Sequence, residues 1–568
     1  MKTFKLFSMA ALALAMAACS NEDNILENVT PAQQGTMHFT ATVAAPGSGA
    51  MTRTIYSESS GTINVAWKAG DLIYLLDEKN GATCIAAVGT PTADGSATIS
   101  GTFNQPVGVG DNITAYYPVS AVIDASDVIS QEGTLAFIQD KLDCRMGTST
   151  ISVSGTEATL ATALQMKSQI AIWKLTLQNS SSEALSATKV TVKDGSDEVL
   201  GRTKDISATS VVYLALSLPA GDVKNADITI EATVGSDTYS YSKSGVSLAK
   251  GKYYQSTVTM KKKKTITLST IASDYTAQDY EVLTGTLANK VKISIADGAI
   301  VTLKDMNING SGTYKDGLSA GITCEGDATI ILEGTNTVKG LGQAYPGIYV
   351  PEGKTLTIMG SGKLTASSGE DGKDNMFGAG IGGGAAGSNN NCGNIVIKGG
   401  TIDATGGVKP GGTGAGIGGS LGSCGNITIS GGYVTAKGGY SSAGIGGGSF
   451  GDCGNITISG GTVDATGGGG YEGGAGIGSG FGTSCGNITI SGGTITAKGG
   501  TNTSNDAPAA GIGGGYANEA CGVITITSGV TSVTATKGGG DGAQSIGKGK
   551  DGADITVDIE DGANVTQN

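Results

Sequence analysis

The sequence predicts an all-β chain in two parts, an N-terminal β-sandwich region and a C-terminal parallel β-helix of about nine rungs. The first observation behind it is a run of repeats from Phe377 to Lys537, with A-G-I-G units opening at Ala379, Ala415, Ala443, Ala475 and Ala510. Second, each repeat carries two stretches of strict apolar–polar alternation, as in Asn426-Ile427-Thr428-Ile429-Ser430 and Tyr433-Val434-Thr435-Ala436-Lys437. That is the two-residue period of half-buried strands. Third, between Gly35 and Met260 the texture changes to short irregular strands with few glycine pairs, a pattern suited to sandwiches.

Within the repeats, isoleucines 381, 417, 445, 477 and 512 recur at intervals of 36, 28, 32 and 35 residues. Two strands plus the stub at A-G-I-G make three short strands per turn, the content of one β-helix coil. Looser coils begin at Lys292, Gly321 and Gly347, and a charged coil at Ser545 to Val557 closes the series. At the ordinary strand spacing they form a rod of about 40 Å. In-register stacking places Ile395, Ile427, Ile456, Ile488 and Ile524 in one inward column and Ile397, Ile429, Ile458, Ile490 and Ile526 in another. Each buried aliphatic side chain contributes about 1.5–3 kcal/mol. Asn394, Asn426, Asn455 and Asn487 form a column that reads as an amide ladder closing a corner.

A chain of 568 residues is long enough for two or more domains, and its 96 glycines are periodic, which marks a solenoid rather than disorder. A net charge of −13 with arginine at only three positions (53, 145 and 202) argues against binding a nucleic-acid backbone.

Residues 1–18 read as a signal peptide: Lys2 and Lys5 precede an apolar stretch, Leu6 to Ala18, too short to span as a mature helix. Met16-Ala17-Ala18-Cys19 resembles a bacterial lipobox, which implies lipidation of Cys19 and anchoring to a membrane leaflet. Residues 19–34 form a tether, and its acidic Ser20-Asn21-Glu22-Asp23 resembles a surface-export signal of outer-membrane lipoproteins.

In residues 35–260, Met51-Thr52-Arg53-Thr54, Trp67-Lys68-Ala69-Gly70-Asp71, Gly101-Thr102-Phe103, Ala115-Tyr116-Tyr117-Pro118 and Lys250-Gly251-Lys252-Tyr253 occur in an order that resembles the fimbrillin-like (Mfa-like) surface proteins. The resemblance implies proteolytic maturation after Arg53 and release of a first strand carrying Met37, Phe39, Ala41 and Val43 inward. A donor strand from another fimbrial subunit would fill the groove. Without cleavage, Arg53 is a solvated loop arginine on a lipid-anchored monomer.

Lys261 to Lys264 read as a solvated basic hinge, and with Thr265 to Leu287 they make residues 261–287 a hinge and solenoid cap ahead of the β-helix, 288–568. The β-helix resembles glycine-rich modules of bacterial surface proteins, some described as carbohydrate-binding. It has no His, Arg or Trp, and Asp403 and Asp464 fit a charge checkerboard with Lys437 and Lys498, so no catalytic residue is assigned. Polysaccharide degradation is thereby disfavoured. Cys392, Cys424, Cys453, Cys485 and Cys521 recur once per coil without a C-x-x-C pair, favouring a buried thiol ladder over zinc or disulfides. No metal ligand or cofactor is assigned, although the acidic loops Glu370 to Asp374 and Asp541 to Asp551 leave calcium open.

The candidate ligand contacts are aromatic: Phe450, Phe481 and Tyr516 follow the A-G-I-G isoleucine by five, four and four residues, with Leu421 one coil earlier, and Tyr440 and Tyr471 lie in the inter-coil loops. Turned outward these rings stack on sugar faces; turned inward, the favoured reading, they fill a corner. The sequence thus points to a cell-surface lipoprotein adhesin of the outer membrane, a tip-like fimbrial subunit whose β-helix meets a glycan or host surface. A passive spacer is the alternative.

Overall fold

In the computed structural model, the described residues are 37–45, 57–59, 62–64, 66–119, 128–218, 222–288, 291–309, 319–342, 344–369, 378–385, 391–407, 413–502 and 506–568. Cys19, Arg53 and the loop Glu370 to Asp374 lie outside them. The chain divides into two compact units, residues 1–123 with 139–169, and residues 124–138 with 170–568. No helix among the described residues is long and apolar enough to cross a membrane.

The first unit is an eight-stranded sheet in which Glu157–Leu160, at one end of the strand order, also pairs with Arg145–Ser154. That pairing closes the sheet on itself. Alternation decides its interior: Met37–Val43 buries Phe39, Ala41 and Val43, and Leu72–Asp77 buries Ile73 and Leu75. Phe39 meets Phe103 edge-on at 5.5 Å, and Trp67 meets Tyr117 at 5.4 Å. Met37–Val43 pairs along all seven residues with Ala97–Phe103, but its parallel pairing with Glu157–Leu160 covers only His38 and Phe39.

The second unit begins as a sandwich. A three-stranded sheet (Val211–Leu216, Ala171–Gln178, Tyr253–Thr259) and a five-stranded sheet built on Lys189–Asp194 and Val223–Val234 contribute to one apolar core containing Trp173, Leu175, Val192, Leu214 and Ile230. Next come the β-helix coils, with three parallel strands in each complete turn. One face is a ten-stranded ladder from Tyr275–Ala277 to Ile546–Gly547; the other two start together in Lys264–Thr267, Glu281–Thr286 and Ala299–Ile308, separate at Ala328–Glu333 and Thr335–Lys339, and end at Val557–Ile559 and Val565–Gln567. The stack gains a coil over the sequence reading, because the expected cap is already coiled: Lys264–Thr267 pairs in parallel with Glu281–Thr286, and Tyr275–Ala277 with Ile293–Ile295.

Register follows the columns read from the sequence. Ile427, Ile456 and Ile488 face one another in successive coils, as do Ile429, Ile458 and Ile490, all fully buried. The asparagine column is a ladder of another kind from the expected one. Each Oδ1 accepts the backbone amide of the next coil: Asn426 N–H donates to Asn394 (2.8 Å), Asn455 to Asn426 (2.8 Å), Asn487 to Asn455 (2.8 Å) and Val523 to Asn487 (2.9 Å). The cysteine column is buried apart from the half-exposed Cys521, and its five thiols are free. Hydrogen bonding with Cys392 and Cys453, together with burial, pushes the Cys424 thiol well above its ordinary range.

The second glycine of each A-G-I-G sets the coil-to-coil approach. Gly382, Gly418, Gly446, Gly478 and Gly513 have φ between 127° and 136°, where L side chains are strained. A Cβ there would lie 1.9–2.1 Å from the carbonyl oxygen of the equivalent glycine one coil on. That oxygen accepts the amide of the residue after the glycine, as Gly447 N–H to Gly478 O at 2.9 Å.

Lys261 to Lys264 do not form the solvated hinge expected of four like charges. Lys261–Lys262 extends the five-stranded sheet, and each lysine meets a carboxylate: Asp279 (2.6 Å), Asp237 (2.7 Å), Glu231 (2.6 Å) and Glu281 (3.1 Å) in order. Glu231 also takes Lys193 at 3.1 Å, and Lys263 reaches Glu333 of the solenoid at 3.6 Å. Lys398 pairs with Asp227, and the Ser361 hydroxyl donates to Asp197 at 2.6 Å. The sandwich and solenoid are therefore tied along their flanks by charges. Burial alone would raise the Glu231 carboxyl, but the Lys263 and Lys193 ammoniums outweigh it and hold it below the ordinary range.

Two outcomes follow in thermal melting of the full chain. Gly446→Ala should destabilise the solenoid by about 3–5 kcal/mol, whereas Gly235→Ala, whose added Cβ meets nothing within 4 Å, should cost about 1–2 kcal/mol. Similar costs at both sites would contradict the glycine-column account. Lys263→Met should cost about 1–3 kcal/mol at pH 7. Because the Glu231 pKa is lowered by folding, its contribution is present above the ordinary glutamate range and is lost as pH falls through the folded value. The gap between variant and parent should therefore narrow in acid, and a constant gap would remove this carboxylate from the network.

Candidate functional site

The A-G-I-G strand is only two residues long, so the loops before and after it lie close together at one edge of the solenoid. Backbone hydrogen bonds bind them to each other: Phe481 N–H donates to Ser441 O (2.9 Å), and Tyr516 N–H to Gly473 O (2.8 Å). The candidate contacts carry these amide donors or lie within two residues of the carbonyl acceptors, Phe450 excepted. Tyr440 and Tyr471 come from the loops before the strand, and Phe450, Phe481 and Tyr516 from the loops after it.

All five rings reach the surface and do not fill the corner as favoured from sequence. Phe450 is 64% and Tyr471 71% exposed, while Tyr440, Phe481 and Tyr516 are half-buried. Tyr440 meets Tyr471 edge-on at 5.5 Å, Phe450 meets Phe481 edge-on at 5.7 Å, and Phe481 stacks with Tyr516 at 6.0 Å and an interplanar angle of 19°. They make two short ladders along neighbouring loops. Gly470 is part of this surface, since a Cβ there would lie 2.2–2.4 Å from the Tyr440 ring.

Phe450 is out of register with its partners. Five residues after the A-G-I-G isoleucine the chain turns left-handed in successive coils, at Phe450 (φ +75°), Gly482 (+61°), Ala517 (+50°) and Asp551 (+58°). Phe481 and Tyr516 precede that residue, whereas Phe450 occupies it. A bulky side chain there is strained by about 1–3 kcal/mol, and such strain concentrates at functional positions. Counting from the isoleucine shows the offset of five against four, but the left-handed turn has no sequence signal when its occupants are Phe, Gly, Ala and Asp.

Carboxylates gather at the Tyr516 end. Asp551 by hydrogen bonding, then burial, then the charges of Asp551, Glu472 and Asp506 push the Tyr516 phenol above its ordinary range. Burial raises the Glu472 carboxyl despite the hydroxyl of Ser441 at 3.4 Å, which opposes it. Sequence reading missed this cluster because its members are 79 residues apart at most, from Glu472 to Asp551, and meet only through coiling.

The remaining candidates behave as surface chemistry. Asp403, Thr435 and Asp464 succeed one another in a single column, with Thr405, Lys437, Thr466 and Lys498 in the next but one. This is the expected checkerboard on an open strand face. Among the described residues no three His, Cys, Asp or Glu side chains converge to hold a metal ion.

Five stretches match the family described as Beta helix repeat, residues 356–385, 395–422, 427–449, 456–481 and 488–516. They include Tyr440, Tyr471, Phe481 and Tyr516. No curated protein matches the chain. Among solved structures, a fimbrial protein from Bacteroides ovatus is 12% identical, with a TM-score of 0.23 and coverage of 40% of this chain and 49% of that one. This chain thus spans about half the length of that protein. A fimbrial assembly protein from Parabacteroides distasonis is 11% identical (TM-score 0.23; 39% and 90% covered). A proposed cell adhesion protein from Bacteroides uniformis is 16% identical (TM-score 0.23; 41% and 99% covered). The repeat match, from residue 356 to residue 516, falls on the parallel coils that carry the aromatic ladders.

Proposed function

We propose that the protein is a surface adhesin whose solenoid edge binds glycans through the rings of Phe450, Phe481, Tyr516, Tyr440 and Tyr471. The observation that carries this reading is the exposure of aromatic rings in two ladders. Packing alone gives no return for Phe450 at 64% exposure in a left-handed conformation. Amphipathic rings with carboxylates and hydroxyls beside them suit a ligand that offers both apolar ring faces and hydroxyl groups.

The rest of the reading concerns delivery. Cys19 would carry the lipid that holds the protein at the outer membrane, exposed on the cell surface, and cleavage after Arg53 would free the first strand for exchange with another fimbrial subunit. The interrupted pairing of Met37–Val43 on one side, where His38 and Phe39 meet Glu157–Leu160 and Val43 separately bridges to Leu164, supports a strand that can leave, since its ladder there is shorter than the seven pairs on the other side. A tip-like position would then present the solenoid outward.

The test is a glycan array probed with the full chain, with a Phe450→Ala/Phe481→Ala/Tyr516→Ala variant alongside. Binding to a defined glycan should fall by at least about tenfold per lost hot-spot ring, with the melting temperature of the solenoid retained. Absence of binding to any glycan would overturn the reading. Phe450→Gly separates adhesin from spacer: it relieves the left-handed strain, so stability should hold or rise by up to about 1 kcal/mol while binding falls. Retained binding would remove Phe450 from the contact surface.

A further inference from the structure

We infer that the aromatic edge selects glycans bearing free amino groups, glucosamine-type sugars in their unacetylated form. This inference rests on the glycan-binding reading above and names the ligand class. Backbone hydrogen bonds place the relevant residues together. Tyr516 N–H on Gly473 O brings Glu472 to the Tyr516 loop, and Ala517 N–H on Lys550 O (2.8 Å) brings Asp551 there. Lys550 N–H on Pro508 O (3.1 Å) brings in the segment after Asp506. Three carboxylates therefore gather at the Tyr516 end of an aromatic ladder whose ring faces attract cations. Lys550 adds one positive charge, its ammonium held at 2.6 Å by the Asp506 carbonyl oxygen, and the three carboxylates outnumber it. The charge left on offer is negative, and its complement is a protonated amine set beside an apolar ring face.

A lysine-rich peptide has the same charge but fits the surface less well. Peptides dock by adding a strand to a free sheet edge or by entering a groove. At this edge the strands Ile445–Gly446, Ile477–Gly478 and Ile512–Gly513 are each paired with the coil before and the coil after, so no free strand edge is presented. What remains for a ligand is ring faces and side-chain oxygens. An amino sugar uses both, stacking its ring and donating its ammonium to a carboxylate.

Calorimetric titration of the full chain with a β-1,4-linked glucosamine hexamer and with its fully N-acetylated counterpart tests this. The amine form should bind about tenfold or more tighter. In the isosteric Glu472→Gln/Asp551→Asn variant that preference should shrink to about twofold, with the weaker N-acetylated binding unchanged. Phe481→Ala/Tyr516→Ala should lose both. Equal or tighter binding of the N-acetylated hexamer, still dependent on the rings, would overturn the amine preference and leave the glycan-binding reading standing. Failure of both hexamers, together with a blank glycan array, would sink both. Amine binding insensitive to the ring and carboxylate variants would reveal general attraction to an acidic chain and overturn the inference. So would ring-dependent binding of a lysine-rich peptide tighter than that of the glucosamine hexamer.

Discussion

Much of the solenoid depends on one close approach, in which a glycine carbonyl of each coil occupies the space where a Cβ of the previous coil would stand. With 1.9–2.1 Å between that oxygen and an ideal Cβ, no residue but glycine fits the column without moving backbone. The same oxygen receives an amide from the preceding coil, so the contact that forbids a side chain also supplies a hydrogen bond. Isoleucine columns can then stack directly, each fully buried. The third strand shrinks to two residues, which draws its flanking loops together.

That shortening turns a packing constraint into a surface. Loops that a longer strand would hold apart are hydrogen-bonded across the edge, and their aromatic residues repeat with the coils. The sequence spends bulky residues there that the interior does not need. The strands between them show the opposite economy: threonine, serine and balanced charge on open faces, and asparagines whose carbonyl oxygens satisfy the next coil's amides. Phe450 departs from that economy, with a large ring in a turn that glycine takes one coil later.

The stack was readable from the sequence because in-register pairing copies sequence columns directly into space. The isoleucine, cysteine and asparagine columns needed only the alignment of the recurring Cys-Gly-Asn-Ile that follows each A-G-I-G, and the Asp403–Thr435–Asp464 order transferred unchanged. Elsewhere the partners were too distant to infer. Lys261 to Lys264 repel one another in sequence, yet Glu231, Asp237, Asp279 and Glu281 neutralise them in the fold. Residues 265–287 lack the glycine signature and still coil, since parallel pairing requires backbone groups rather than A-G-I-G. The aromatic contacts were identified as residues, but their outward direction was set by a left-handed turn and a two-residue strand that hydrophobic alternation does not encode. Cys19 and Arg53 remain motif-based expectations.

Hydroxyl-radical footprinting of the full chain, read residue by residue with and without the glucosamine hexamer, tests most directly whether the solenoid edge is an exposed ligand surface. The account predicts strong labelling of Phe450 and Tyr471 in the free protein and protection of both by the ligand, while Tyr433, 53% exposed on another face, labels equally in both. Weak labelling of Phe450 and Tyr471 in the free protein, or protection of Tyr433 instead, would contradict it.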